Sequence, residues 1–274
     1  MTEKAYAKIN LYLDCIGRRN DGYHELCTVM HTVSLCDTVS LEKADNISVS
    51  CSDSSVPSDE RNIAYKCAQT YFKVCGIQGG ARIHIDKHIP SQAGLGGGSA
   101  DGAAVLRMLN RAYGGTDIDG LLSAAASCGA DIPFLIKGGA ALCEGIGERI
   151  APLAPMHGCV LIAKGEHGIS TPEAYRRIDE LAPGKHLEPR EVMTLYSKGK
   201  LPLYNIFEQA VDIPDVMRIK DIISGYGAQT LMSGSGSAVY GLFADDKTAC
   251  ECAGTLSGKG FFSGVYYFTD EVTA

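Results

Sequence analysis

An α+β fold with mostly antiparallel strands is predicted by three features of this 274-residue chain. Helical and strand periods are interleaved without strict βαβ alternation. In residues 81–86, Ile83 and Ile85 alternate with Arg82, His84 and Asp86, the two-residue period of a half-buried strand. Residues 59–75 put Ile63, Cys67, Thr70 and Val74 at helical spacing.

From the start of the chain, residues 4–13 alternate loosely as a strand, and residues 46–51 read as another. The helix at 59–75 and the strand at 81–86 follow. A glycine cluster then leads into a helix from about 100 to 113, where Val105, Met108, Leu109 and Ala112 fall at i, i+3, i+4 and i+7. Residues 117–128 read as a third helix, ended by Gly129. Residues 138–150 read as a hairpin with Gly145 and Gly147 near its turn. A strand at 159–163 precedes a helix at 171–182, opened by Thr171 and Pro172. Strands at 229–232, 238–243 and 261–269 surround a helix at 246–257.

Composition narrows the function classes. Apolar residues make up 45% and charged residues 21%, ordinary for a globular enzyme with a sizeable core. The net charge of −7 and the lack of any Lys/Arg run argue against nucleic acid and against a charged membrane surface as partners. No charge-free apolar stretch reaches membrane-spanning length. The Met-Thr-Glu-Lys start carries no basic-then-apolar pattern, so no secretory signal is expected. Eleven cysteines occur with no Cys-x-x-Cys spacing, which speaks against a zinc ribbon or finger and for reduced thiols in a cytoplasmic protein.

The segment with most chemical content is Pro90-Ser91-Gln92-Ala93-Gly94-Leu95-Gly96-Gly97-Gly98-Ser99-Ala100. Four glycines in five positions, after a strand and before a helix, let successive backbone N–H groups converge on an anion. The helix start adds free N–H donors and the positive end of its dipole. Ser99 can cap that helix or offer a hydroxyl to a phosphate or metal ion. The segment matches neither Gly-x-x-x-x-Gly-Lys-[Ser/Thr] nor Gly-x-Gly-x-x-Gly, because Ser99 stands where a third glycine would fall. These residues support a phosphate loop of another kind; a plain flexible turn is the bland alternative.

Ala7-Lys8-Ile9-Asn10-Leu11, the glycine segment, and Gly234-Ser235-Gly236-Ser237 together resemble the three motifs of the GHMP kinase superfamily. Asp21-Gly-Tyr-His-Glu-Leu26 and Gly129-Ala-Asp-Ile-Pro-Phe134 resemble the branch whose alcohol is a cytidine diphosphate ester of methylerythritol, from non-mevalonate isoprenoid synthesis. The motifs run from near the start to Gly236 in the family's order, so the resemblance covers nearly the whole chain. It implies a two-domain GHMP kinase fold: residues 1–152 like ribosomal protein S5 domain 2, and residues 153–274 as a GHMP C-terminal α/β domain. It also implies ATP and Mg²⁺, phosphorylation of the 2-hydroxyl of the methylerythritol part, and a monomer or weak homodimer. No counterpart of the acidic magnesium ligand of mevalonate-type members is evident, which leaves protein ligands to the metal unassigned.

The resemblance makes Asp131 the general base and Lys8 the cation that neutralises charge beside it and the transferred phosphoryl. An alcohol attacks poorly while it keeps its proton, so a carboxylate within reach is useful. Independently, the Ile132-Pro133 step favours a helix start, which puts Asp131 at or next to an N-cap. A simple cap for Asp131 and an exposed strand lysine for Lys8 are the alternatives. By the same resemblance Tyr23 stacks on the cytosine ring, His24 hydrogen-bonds its edge, Tyr175 covers the other ring face, and Asn10 and Thr171 touch the substrate. Gly234, Ser235 and Gly236 form a second nest facing the transferred phosphate. Asn62, Ile63 and Lys87 fall where the nucleotide base is contacted. The alternatives are half-buried packing for Tyr23 and Tyr175, surface helix and strand positions for Asn62, Ile63 and Lys87, and a turn between two strands for Gly234, Ser235 and Gly236. A kinase for another alcohol, such as homoserine or mevalonate, or a non-catalytic relative, remains to be separated by assay.

Overall fold

The computed structural model describes residues 1–181 and 186–270. In chain order it has strands β1 (Thr2–Arg18), β2 (His24–Ala44) and β3 (Ser48–Cys51), helix α1 (Ile63–Cys75), strand β4 (Gly80–Asp86), and helices α2 (Gly97–Tyr113), α3 (Ile118–Cys128) and α4 (Ile132–Lys137). Strands β5 (Ala140–Gly145), β6 (Arg149–Leu153) and β7 (Cys159–Lys164) follow, then helices α5 (Thr171–Ile178) and α6 (Pro189–Ser197), and the two-residue strand β8 (Tyr204–Asn205). The rest is α7 (Phe207–Ala210), α8 (Pro214–Gly225), β9 (Gln229–Met232), β10 (Val239–Phe243), α9 (Asp246–Ser257) and β11 (Phe262–Tyr267).

The strands form two sheets. One runs β3-β4-β2-β1-β8, with β5 also paired to β2 and β6 to β5; the other runs β11-β7-β10-β9. Pairing is antiparallel except at β1/β8 and β3/β4, in keeping with the predicted class. Helices α1 and α2 pack over the first sheet, and α3 and α4 pack against those two helices. In β7 the alternation is explicit: Val160 and Ile162 enter the core shared with the first sheet, while Leu161 and Ala163 pack with α8 and α9. The second sheet therefore lies between the two apolar clusters, with β7 buried on both faces.

Most predicted elements are present, and the differences have local causes. The 59–75 helix begins at Ile63 because Asn62 caps it, its side chain accepting from the Ala64 N–H. The 100–113 helix begins three residues early, at Gly97, with Gly96 as N-cap and no side-chain cap; Ser99 therefore lies in the first turn rather than at a capping position. The 171–182 helix ends at Ile178, ahead of Pro183, a residue foreign to helix interiors, and residue 182 lies outside the described residues. Strand β2 escaped the periodicity reading because its middle, Leu26–Val33, is buried on both faces and shows no alternation. No helix among the described residues is long and apolar enough to cross a membrane.

A buried histidine secures the passage between the sheets. His31 on β2 donates from Nδ1 to the Thr32 carbonyl at 3.0 Å, and its Nε2 accepts the Met156 N–H at 2.8 Å, between β6 and β7. Burial pushes its pKa down to about 4, opposed by the Thr32 hydrogen bond. The unfolded chain therefore binds a proton that the native state refuses between about pH 6.5 and 4. This contribution to stability is complete above pH 6.5 and is lost as pH falls through 4, about 3 kcal/mol in all. Urea unfolding at pH 7 and pH 5 is expected to show a larger loss for the wild type than for His31→Gln, which keeps an acceptor but does not titrate. Equal losses would remove His31 as the cause.

Candidate active site

Strand alternation puts Lys8 and Asn10 on one face of β1, directed into the cleft between the sheets. Lys8 Nζ donates to Asn10 Oδ1 at 2.7 Å and lies 3.6 Å from Asp131 Oδ2. Asn10 is oriented in turn: its Nδ2 donates to Thr28 Oγ1 at 2.9 Å, and that hydroxyl donates to the Tyr12 carbonyl at 2.7 Å. Lys8 is only 5% exposed, so its ammonium depends on these two oxygen partners. Asp131 stands at the N-cap of α4, yet its side chain makes no capping hydrogen bond. The carboxylate is left free toward the cleft, which disposes of the simple-cap alternative.

The glycine loop folds onto the same point. The Lys8 N–H donates to the Leu95 carbonyl at 2.9 Å, binding β1 to the loop. Gly94 and Gly96 both have φ +72°, a conformation that side-chain-bearing residues rarely adopt. A Cβ at Gly96 would stand 3.1 Å from Lys8 Cγ, and one at Gly94 only 2.0 Å from the Ser233 carbonyl oxygen. The loop and the 233–236 turn thus touch backbone to backbone. Ser233 Oγ donates to the Gly94 carbonyl at 3.0 Å, and the Ala238 N–H donates to the Ala93 carbonyl at 3.0 Å. A Cβ at Gly234 would lie 3.3 Å from Lys8 Nζ, so the second small-residue turn also faces the ammonium. Thr171 and Ser235 hydroxyls meet at 3.1 Å.

A cavity of about 1120 Å³ joins these parts. Its wall includes every predicted site residue except Ala100, which is 1% exposed and packs into the core from α2. At one end the His24 ring stacks on Tyr175, with centroids 4.8 Å apart and planes at 20°, and Phe207 meets the edge of Tyr175. His24 Nε2 lies 2.8 Å from Asp179 Oδ1. Tyr23 stands at the rim, 60% exposed. The face of Tyr175 expected to cover a base is therefore held by His24. At the other end, Asn62 spends its side chain locally: Oδ1 accepts from the Ala64 N–H and Nδ2 donates to the Pro57 carbonyl. Lys87 donates to Asp37 at 2.5 Å and to Asp101 at 2.9 Å, and is buried rather than at the surface. Asn62 and Lys87 reach the cavity wall with their polar groups already committed.

Four polar side chains were not anticipated. Asn205, on β8, donates through Nδ2 to the carbonyls of Met232 at 2.7 Å and Gly234 at 2.8 Å, while its Oδ1 accepts the Phe207 N–H. It fixes the second turn. Asp37 accepts the N–H groups of His88 and Ile89 at 2.6 and 2.8 Å, fastening the approach to the loop. Asp101 has Oδ1 buried without a partner, and burial raises its carboxyl to about 7 against the pull of Lys87. Asp179 completes the His24 end. Among the described residues no three His, Cys, Asp or Glu side chains are grouped to hold a metal.

The family described as GHMP kinases N terminal domain matches residues 62–139. A 4-diphosphocytidyl-2-C-methyl-D-erythritol kinase of Caldicellulosiruptor saccharolyticus is 41% identical over 93% of this chain and 92% of its own. The enzyme of that name from Clostridium perfringens is 39% identical over 97% of this chain and 96% of its own. The solved structure of a 4-(cytidine 5'-diphospho)-2C-methyl-D-erythritol kinase superposes with a TM-score of 0.80 at 34% identity, covering 97% of this chain and 99% of that one. A mevalonate kinase from Methanococcus jannaschii shares the fold, with a TM-score of 0.72 at 13% identity over 98% of each chain. The fold and the glycine-lined cleft are those of a GHMP kinase. Within that superfamily, the chain belongs to the 4-diphosphocytidyl-2-C-methyl-D-erythritol kinase family.

Proposed function

We propose that this chain transfers the γ-phosphate of ATP to the 2-hydroxyl of 4-diphosphocytidyl-2-C-methyl-D-erythritol. The observation that carries the reading is the uncapped Asp131 carboxylate beside the buried Lys8 ammonium, which faces the two glycine turns. Asp131 accepts the hydroxyl proton as the alcohol attacks, and Lys8 holds the carboxylate and the transferred phosphoryl in their charged forms. Backbone N–H groups of the loop and the first turn of α2 receive the triphosphate.

Oxygen donors on the wall, among them the Ser99 hydroxyl, suit a hard cation, but among the described residues there is no closed protein cage. Mg²⁺ would enter held mainly by phosphate and water, neutralising phosphate charge during transfer. The protein is taken to act as a monomer or weak homodimer, divided into domains at 1–152 and 153–274, with β8 as the second domain's contribution to the first sheet.

At the far end, Tyr23 and Tyr175 enclose the cytosine once His24 turns from the Tyr175 face to the base edge. Base stacking contributes about 1–3 kcal/mol per ring. Tyr175→Ala is accordingly expected to raise the KM of the cytidine substrate by about 5- to 150-fold and leave that of ATP nearly unchanged. Equal effects on both constants would count against the enclosure. Coupled ADP release tests the function itself. Turnover is expected with the cytidine substrate and not with homoserine or mevalonate; turnover with either of the latter alone would overturn the assignment.

A further inference from the structure

At the His24 end of the cavity, side chains from β1, β2 and α5 meet. Arg18 and His24 are direct partners in the β1/β2 register, so both side chains leave the same face of the first sheet. Opposite them are Tyr175 on α5 and Asp179 at its C-cap, four residues apart and still in helical conformation. The Asp179 N–H donates to the Tyr175 carbonyl at 3.2 Å, so the turn between them is intact. Asp179 Oδ1 lies 2.8 Å from His24 Nε2, and its Oδ2 lies 3.6 Å from Arg18 Nη1. Among the described residues, three carboxylates line the cavity. Asp101 is paired with Lys87 and Asp131 stands beside Lys8, which leaves Asp179 as the carboxylate of this end.

The contact with Asp179 decides where the His24 ring carries hydrogen. A carboxylate only accepts, so Nε2 bears the hydrogen and donates it. In the neutral ring no second nitrogen hydrogen exists, and Nδ1 presents a lone pair. The two nitrogens face nearly opposite ways, so this acceptor is turned from Asp179. It has no hydrogen-bond partner among the described residues.

We propose that Asp179 makes this pocket select cytosine over uracil, by holding His24 in the tautomer whose Nδ1 accepts. The inference rests on the kinase reading for a pyrimidine at Tyr175, and goes beyond it in naming what chooses the base. The two bases differ at position 4, where cytosine carries an amine and uracil a carbonyl oxygen. The Nδ1 lone pair accepts from the amine. Against the carbonyl it meets another acceptor, and both atoms lose the hydrogen bonds they made to water. The opposite tautomer reverses the preference, because an N–H at Nδ1 suits the uracil oxygen. Asp179 is thus a positioning residue that acts on the base through His24.

The ring can keep both contacts. His24 covers the Tyr175 face, with centroids 4.8 Å apart. Asp179 is offset from Tyr175 by one helical turn, about 5–6 Å between Cβ atoms. A ring anchored to Asp179 through Nε2 can leave the Tyr175 face and border it instead, with Nδ1 toward a base stacked there. Arg18, on the same side as His24, draws the second carboxylate oxygen to this end.

Binding of CDP and of UDP to the full chain tests the inference without reference to turnover. Titration calorimetry is run at pH 8, above the range in which a free imidazole titrates, with excess ADP present to occupy the glycine loop. CDP is expected to bind about 5- to 150-fold more tightly than UDP, the range for one hydrogen bond replaced by an unpaired acceptor. Asp179 is 34% exposed at a helix end, so Asp179→Ala should fold, and it should bring the two affinities together. With His24→Ala already in place, adding Asp179→Ala should leave the CDP/UDP ratio as it stands. Nitrogen-15 NMR of the imidazole should show the His24 hydrogen on Nε2, before and after CDP is added. A wild type that binds CDP no better than UDP overturns the inference, as does an Asp179→Ala protein that keeps the wild-type ratio. A hydrogen on Nδ1, or a further change in ratio in the His24→Ala background, overturns the action through the ring. If the cytidine ester is not phosphorylated while the CDP preference and the tautomer are found as stated, the kinase reading falls and this inference stands.

Discussion

Alanine in place of Asp131 is expected to lower turnover by about 100- to 10,000-fold, while the KM values for ATP and for the alcohol stay close to wild type. The size follows from the task. Phosphoryl transfer needs in-line placement and charge stabilisation, which the loop and Lys8 retain in the variant, but the attacking hydroxyl then has no carboxylate to take its proton. The effect should therefore fall on kcat and on kcat/KM alike, the mark of an interaction made in the transition state. Removing the carboxylate also leaves Lys8 buried with Asn10 Oδ1 as its remaining charge-oriented partner. Some stability is lost for that reason. Asp131→Asn, which keeps the shape and an oxygen acceptor, separates the two effects: it should unfold at nearly the wild-type temperature and still lose turnover. Steady-state kinetics with each substrate varied, beside thermal unfolding of both variants, decides the matter. Near-normal turnover in Asp131→Asn would end the proposed role.

What could be read from the sequence is what is written locally. The glycine cluster announces itself by composition, and its neighbours, a period-two strand and a period-3.6 helix, supply the context. The Pro133 step placed Asp131 at a helix start, and the side chain is indeed free of the helix. The parts that stayed hidden depend on long-range partners. Asn205 sits in a two-residue strand with no pattern around it; its importance comes from carbonyls 27 and 29 residues later in the chain. Asp37 lies inside β2 and reaches Lys87, His88 and Ile89 some 50 residues on, so nothing near it signals a buried charge cluster. His24 finds Asp179 across 155 residues. The motif containing His24 was legible, but its stacking on Tyr175 was not, because two rings far apart in sequence carry no joint signature. Helices α6, α7 and α8 were likewise unassigned. Two are short, α7 spanning four residues, and their packing partners are distant in the fold, α6 resting on β5 of the first sheet, α7 on α5 and α8 on the second sheet.

Gly94→Ala is expected to reduce ATP-dependent turnover at least 100-fold and to lower the unfolding temperature, whereas Gly96→Ala should do much less to stability. The two positions share φ +72°, so both pay the same conformational penalty, about 1–2 kcal/mol. They differ in what the new methyl meets. At Gly94 it meets backbone: the Ser233 carbonyl oxygen at 2.0 Å, its carbon at 2.9 Å and the Gly236 nitrogen at 3.0 Å. None of these can swing aside, so the loop and the 233–236 turn must separate. That separation breaks the Ser233 to Gly94 and Ala238 to Ala93 hydrogen bonds, and the two anion-facing turns lose their common register. At Gly96 the methyl meets Lys8 Cγ and Cε at 3.1 and 3.3 Å and Leu135 Cδ1 at 3.5 Å, all on side chains that can give. The cost there is a displaced ammonium rather than a broken contact, so Gly96→Ala should lose turnover while keeping its fold. ATP KM and kcat for both variants, measured beside their unfolding curves, test the contrast. A Gly94→Ala protein with wild-type ATP KM would show that the backbone contact between the two turns does not set the phosphate site.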